Sequence, residues 1–130
     1  MSIEFEIQTI LPATPEQVYL AWLDSEAHSA MTGSKAEASD QVGGRFTAWD
    51  GYITGETLEL SAGQRIVQSW RTTEFEESEP DSHLEIEFAP VEGGTKLTLR
   101  HTALPEHGDQ YRQGWVDSYF DPMREYFESR

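Results

Sequence analysis

The stretch that decides the fold is DQYRQGWVDSYFDPMREYFE, residues 109–128. At about 100° per residue, Tyr111, Trp115, Val116, Tyr119, Phe120, Met123, Tyr126 and Phe127 fall on one arc of roughly 180°. Gln113, Asp117, Arg124, Glu125 and Glu128 fill the opposite half. The spacing predicts a long amphipathic helix, and its aromatic face must be buried against another element. Arg112 falls inside the apolar arc, either snorkelling to solvent or standing as a cation at a pocket mouth. Pro122 cannot donate to the carbonyl four residues back, so a kink is expected over Ser118 to Pro122. Asp121-Pro122 also reads as an N-cap followed by proline at the first helical position, which would give two shorter helices.

Working outward, the partner of that face is a sheet. Ile3 to Ile10 alternates, with Ile3, Phe5 and Ile7 on one side and Glu4, Glu6 and Gln8 on the other, as in a half-buried strand. Pro12 ends it. Thr14-Pro15-Glu16-Gln17 predicts a capping box with proline at the first helical position, and Val18, Tyr19, Ala21, Trp22 and Leu23 supply the buried side. Glu26 to Met31 predicts a second short helix. Thr32 to Gln41 reads as loop with a weak strand near Lys35 to Ala38. Strands are then expected at Arg45–Trp49, Tyr52–Leu60, Gln64–Thr72, Ser82–Ala89 and Thr95–Thr102. Asp50-Gly51 is a two-residue hairpin signal between the first two. Ser61-Ala62-Gly63 and Glu92-Gly93-Gly94 make further turns, and the acidic run Phe75 to Asp81 reads as a mobile connection. Successive hairpins with no helix between them predict an antiparallel meander. The expected fold is α+β: a curved antiparallel sheet wrapped around the C-terminal helix, with two short helices after the first strand, as a single domain over residues 1–130.

Composition narrows the function. The chain has 130 residues, enough to bury about two thirds of the surface its unfolded form exposes. It has no cysteine, which excludes disulfides, thiolate metal sites and a cysteine nucleophile. The 24 acidic residues outnumber the 9 basic ones, for a formal net charge of −15. Such a field opposes phosphates, so neither nucleic acid nor an anionic membrane surface is an expected partner. The start, MSIEFEIQ, carries no secretion signal, and no apolar run is long enough for a membrane span, so a cytoplasmic protein is expected.

Several segments resemble a known family. They are Pro15 to Asp24 (PEQVYLAWLD), Val42-Gly43-Gly44-x-Phe46 with Asp50-Gly51-Tyr52-Ile53-x-Gly55-Glu56, Arg65 to Trp70 (RIVQSW), Gly93-Gly94-Thr95-x-Leu97-Thr98-Leu99-x-His101, and Gly114-Trp115. In this order the chain resembles the family related to the activator of the 90-kDa heat-shock protein's ATPase, within the START-like (SRPBCC), helix-grip superfamily. The resemblance covers nearly the whole chain. It implies a hydrophobic pocket between sheet and C-terminal helix, no shared catalytic residue, and a chaperone as a candidate partner.

The residues give the pocket candidate walls. Trp49, Tyr52, Trp70, Trp115 and Tyr119 are either plain core or the lining of a cavity, since pockets are mainly apolar and aromatic with a few polar groups. The candidate polar groups are Glu56, Gln68, His101 and Arg112. His101 shares a strand face with Leu97 and Leu99, towards the helix. It is either a hydrogen-bonded core residue or an acid–base group tuned near neutrality. His28, His83, His101 and His107 show no metal-ligand spacing, so no metal and no cofactor are expected. No nucleophile elbow or phosphate cradle is present, and no catalytic residue is assigned. The expected function is binding of a small apolar or amphipathic ligand by Trp49, Tyr52, Trp70, His101, Arg112, Trp115 and Tyr119. An acid–base enzyme of the cyclase or dehydratase type and a chaperone-associated interaction protein are the alternatives.

Overall fold

A computed structural model describes residues 2–129. Strand β1 spans Ile3–Leu11, followed by helices α1 (Pro15–Leu23) and α2 (Ser25–Thr32). Strands β2 (Arg45–Ala48), β3 (Ile53–Ser61), β4 (Arg65–Thr72), β5 (Ser82–Val91) and β6 (Gly94–Leu104) form the meander. They make one six-stranded antiparallel sheet in the order β1-β6-β5-β4-β3-β2, so the first strand pairs with the last. The chain closes with a 3-10 turn (Glu106–Asp109), α3 (Gln110–Trp115), a π-helical turn (Val116–Phe120) and α4 (Asp121–Glu128). The curved sheet and C-terminal helix are those of a helix-grip α+β fold.

Local chemistry accounts for the elements. Thr14 accepts from the Gln17 N–H at 3.1 Å, while the Gln17 side chain accepts from the Thr14 N–H at 2.9 Å, so the capping box is complete. Asp24 caps α2 by accepting from the Ala27 N–H at 2.8 Å, which starts that helix one residue before the expected Glu26. Along the sheet Ile66, Leu84, Ile86, Leu97 and Leu99 are fully buried and face the helices. On the opposite face Arg65 pairs with Glu59 and Glu85, and Arg100 pairs with Glu6, Glu85 and Glu87. Among the described residues no helix is long and apolar enough to cross a membrane.

Four expectations need correction. The long helix runs unbroken from Gln110 to Glu128, and the disturbance expected as a kink over Ser118 to Pro122 is a π-helical turn over Val116–Phe120. Pro122 has no N–H for the carbonyl of Ser118, and the backbone adapts with a π-helical turn in which the Asp121 N–H donates to Val116 O. The acidic run is anchored, not mobile: Arg71 donates to the carbonyls of Glu79 (3.0 Å) and Glu76 (3.1 Å) and pairs with Asp81 at 2.8 Å. Phe75 is buried beneath it. The weak strand at Lys35 to Ala38 reduces to one bridge, Glu37 to Thr47. Finally, β2 stops at Ala48 and β3 begins at Ile53, so Trp49 and Tyr52 lie in the turn between them.

Candidate functional site

That turn forms one wall of a pocket of about 370 Å³. Asp50 and Gly51 have φ 57° and 90°, and the Tyr52 N–H donates to Trp49 O at 3.2 Å, as in the left-handed turn that Asp-Gly favours. Trp49 is itself at φ 54°, which detaches the turn from the ladder. The Asp50 N–H donates to Lys35 O at 2.8 Å and the Thr73 N–H to Tyr52 O at 3.0 Å, holding the turn from both sides. The other walls come from β3 (Ile53), β4 (Trp70), the α3 residues Gln110, Tyr111, Gly114 and Trp115, and Ser118 and Tyr119 of the π-helical turn.

The rings pack as a continuous stack behind this space. Trp70 stands edge-on to Tyr111, with centroids 4.9 Å apart, and is tilted against Trp115 at 5.6 Å. Trp115 meets Tyr119 at 4.9 Å. The polar atoms of Tyr111, Trp115 and Tyr119 are tied outward. The Trp22 carbonyl, 2.8 Å from His28 Nδ1, makes that nitrogen the protonated one, so Nε2 accepts from the Tyr119 hydroxyl at 2.8 Å. Burial lowers the His28 pKa, against the opposing effect of the bond to Trp22 O, and burial raises that of Tyr119. The Tyr111 hydroxyl pairs with Thr72 Oγ1 at 2.6 Å, and the Tyr52 hydroxyl donates to Glu74. Burial is the largest cause of the raised pKa of both tyrosines, and the bond to Glu74 adds to it for Tyr52. All three lining tyrosines therefore remain neutral near pH 7.

Five of the seven residues named from the sequence line this pocket: Trp49, Tyr52, Trp70, Trp115 and Tyr119. His101 and Arg112 do not. His101 faces inward as its register requires, but it lies behind the indoles of Trp70 and Trp115, at centroid distances of 4.6 and 5.8 Å. Trp115 Nε1–H donates to His101 Nδ1 at 3.0 Å, which leaves the proton on Nε2. That proton goes to Ser82 Oγ at 2.8 Å, and Ser82 donates onward to Trp70 O at 2.7 Å. Burial, aided by the nearby His83, pushes the His101 pKa down to about 3. A histidine so committed supplies no proton to the pocket. Arg112 is exposed, with its guanidinium 5.8 Å from the centre of the Phe5 ring. Gln68 is buried away from the pocket, accepting from Trp22 Nε1 at 3.4 Å and donating to Thr57 at 3.3 Å. Glu56 is absent from the lining.

Sequence reasoning missed Ile53, Gln110, Tyr111, Gly114 and Ser118 as wall residues. A signal was present in the helix: small residues at 114 and 118, four apart, sit between large rings at 111, 115 and 119. A Cβ built on Gly114 meets nothing within 4 Å, so the wall there opens onto space. The lining has no charged side chain. Among the described residues no group of three or more His, Asp or Glu is placed to hold a metal ion. The arrangement can bind rings and present a few neutral polar groups.

Comparison with known proteins agrees with this architecture. Residues 12–128 match the family model described as activator of Hsp90 ATPase homolog 1-like protein, and the chain belongs to that family. The human activator of 90 kDa heat shock protein ATPase homolog 1 is 29% identical over 118 residues, covering 88% of this chain and 34% of the relative. The chain spans about a third of the length of the curated relatives it matches. Among solved structures, an Hsp90 activator from Plasmodium falciparum is 28% identical with a TM-score of 0.82, covering 92% of this chain and 91% of that one. A protein from Chromobacterium violaceum is 27% identical with a TM-score of 0.77, covering 96% of both chains.

Proposed function

We propose that this member of the Hsp90 ATPase activator-like family binds a small apolar or amphipathic molecule between the sheet and the C-terminal helical segment. The observation that carries this reading is a pocket of about 370 Å³ whose walls include six aromatic rings and no charge. Its size falls at the small end of the range for ligand sites. Elsewhere the helix face is packed tightly enough to bury Met123 and Phe127. The test fills the pocket. Gly114→Leu places a side chain where a Cβ meets no neighbour within 4 Å. Leucine is also a better helix former than glycine, by about 0.5–1 kcal/mol, so the variant should fold at least as well as the parent. The parent should bind the neutral fluorescent probe N-phenyl-1-naphthylamine, with its tryptophan emission quenched, and the variant should lose that binding. Equal binding by both proteins places the probe elsewhere and rejects this pocket as the site.

The second reading is contact with a chaperone. It is supported by relatives whose names describe activators of the 90-kDa heat-shock protein's ATPase. Stimulation of that ATPase by the purified chain would favour it. No stimulation, together with no co-elution at micromolar concentrations, would reject it.

A further inference from the structure

The charge around the pocket bears on which molecule it takes. Six aromatic rings line one space, and among the described residues no Lys, Arg or His lines it with them. One carboxylate is bonded directly to that wall. The Tyr52 hydroxyl donates to Glu74, and the Glu74 N–H donates to Thr72 Oγ1 at 3.1 Å. Thr72 Oγ1 in turn pairs with the Tyr111 hydroxyl at 2.6 Å. Glu74 is thus tied, through its side chain and its backbone, to the hydroxyl ends of two wall residues. Burial is the largest cause of the raised pKa of both tyrosines, and the Glu74 charge adds to each. The Glu79 charge adds to that of Tyr111.

The cations that adjoin the wall are engaged elsewhere. Arg71, next to Trp70 in β4, pairs with Asp81 at 2.8 Å. Lys35, whose carbonyl holds the Trp49–Tyr52 turn, pairs with Glu37 at 3.9 Å. Arg112, next to Tyr111, lies over the Phe5 ring. The whole chain carries a formal net charge of −15. An anion would therefore enter against the field, with no cation to meet it. A neutral molecule would gain nothing from that field. A cation gains twice, from the pull of Glu74 and from ring faces, which attract an ammonium within about 6 Å of their centres. We propose that the pocket takes an amphipathic cation, its apolar body among Trp70, Trp115 and Tyr119 and its ammonium group beside Tyr52 and Tyr111, with Glu74 as the counter-charge. This assignment rests on the pocket being a ligand site.

Three probes on one ring system test it, titrated into the full chain: 2-naphthyltrimethylammonium, its uncharged isostere 2-tert-butylnaphthalene, and 2-naphthoate. In dilute buffer the parent should bind the cation about tenfold or more tightly than the anion. Glu74→Gln keeps an acceptor for the Tyr52 hydroxyl but removes the charge. It should weaken binding of the cation about fivefold and leave the neutral isostere unchanged. Glu92→Gln removes one charge from the exposed β5–β6 turn, away from the lining, and should change neither. In the parent alone, the N-methyl protons of the bound cation should show NOEs to the assigned ring protons of Tyr52 and Tyr111. This readout does not depend on a variant folding. Anion binding as tight as that of the cation, equal effects of Glu74→Gln and Glu92→Gln on the cation, N-methyl NOEs to other rings only, or cation binding that survives Gly114→Leu overturns the proposal. Binding of the neutral isostere that is lost in Gly114→Leu would then leave the pocket standing as a ligand site without this assignment. If none of the three binds the parent, the ligand-site reading falls and takes this proposal with it.

Discussion

Replacing His101 by leucine removes one group from the chain that links Trp115, His101, Ser82 and the Trp70 carbonyl. Ser82 keeps its 2.7 Å bond to Trp70 O, but Trp115 Nε1–H loses the acceptor it has at 3.0 Å. An unmet buried donor costs about 1–3 kcal/mol, so the variant should be less stable than the parent by that amount at pH 7. The deficit should shrink in acid. Burial, with a smaller effect from His83, holds the folded pKa at about 3, whereas the unfolded chain has an ordinary value of about 6.5. Between those values the unfolded parent binds a proton that the folded parent refuses. The parent's stability is therefore full above pH ~6.5 and falls by about 1.4 kcal/mol per unit below it. The leucine variant lacks that proton, and the other titrating groups are common to both chains. The two stability curves should cross about one to two units below 6.5, between pH ~5.5 and ~4.5. Urea unfolding followed by tryptophan emission at several pH values measures both curves. A difference that stays constant from pH 7 to 4.5 would refute the buried, neutral histidine and the tautomer assigned to it.

Two further outcomes are expected. Arg71→Ala removes the donor to Glu76 O and Glu79 O and the partner of Asp81, so amide exchange over residues 76–81 should accelerate about tenfold or more, with global stability falling by under about 2 kcal/mol. Unchanged exchange would mean that buried Phe75 and the Glu79 contacts with Glu76 and His107 hold the loop. With a formal net charge of −15, the melting temperature should rise between dilute buffer and about 0.5 M NaCl as self-repulsion is screened. A flat or falling curve would show that ladders such as Glu6–Arg100–Glu87 already neutralise the repulsion that matters.

The parts of the fold written in local periodicity were legible. Alternation in β1 and β6, the Thr14 capping box and the Asp50-Gly51 turn each depend on residues a few positions apart, and each appears as expected. The inward direction of His101 was legible for the same reason. Its depth was not, because depth is set by Trp70 and Trp115, which reach it from β4 and α3. Arg112 shows the limit of a helical wheel. The wheel places Arg112 on the apolar arc, but there the segment has just left a 3-10 turn and approaches a π-helical one, so a uniform 100° does not apply. Val116 and Tyr126, also on the arc, are only half-buried. The acidic run failed for a complementary reason. Its composition suggests mobility, but the guanidinium that binds its carbonyls belongs to a different element, β4. A positive φ at tryptophan leaves no mark in sequence at all.

Several departures from local preference gather at one place. A left-handed Trp49, a glycine inside α3, a π-helical turn and Pro122 at the start of α4 all fall on or beside the same pocket wall. Elsewhere the helix caps and hairpin turns agree with the structure they specify, although Ala103 at φ 58° and the bulges in β1 and β3 depart from local preference too. Each departure is unfavourable alone: a glycine costs about 0.5–1 kcal/mol relative to alanine in a helix, and a left-handed bulky residue about 1–3. Together they have one geometric effect. Gly114 withholds a side chain, the π-helical turn places Ser118 and Tyr119 in the wall, and Trp49 closes the opposite side from its turn. Regularising Gly114 alone would put a side chain into that space, and a helix without the π-helical turn would rotate one set of rings relative to the other. Local stability and the open space are in opposition at these residues, and the sequence is arranged so that the space persists.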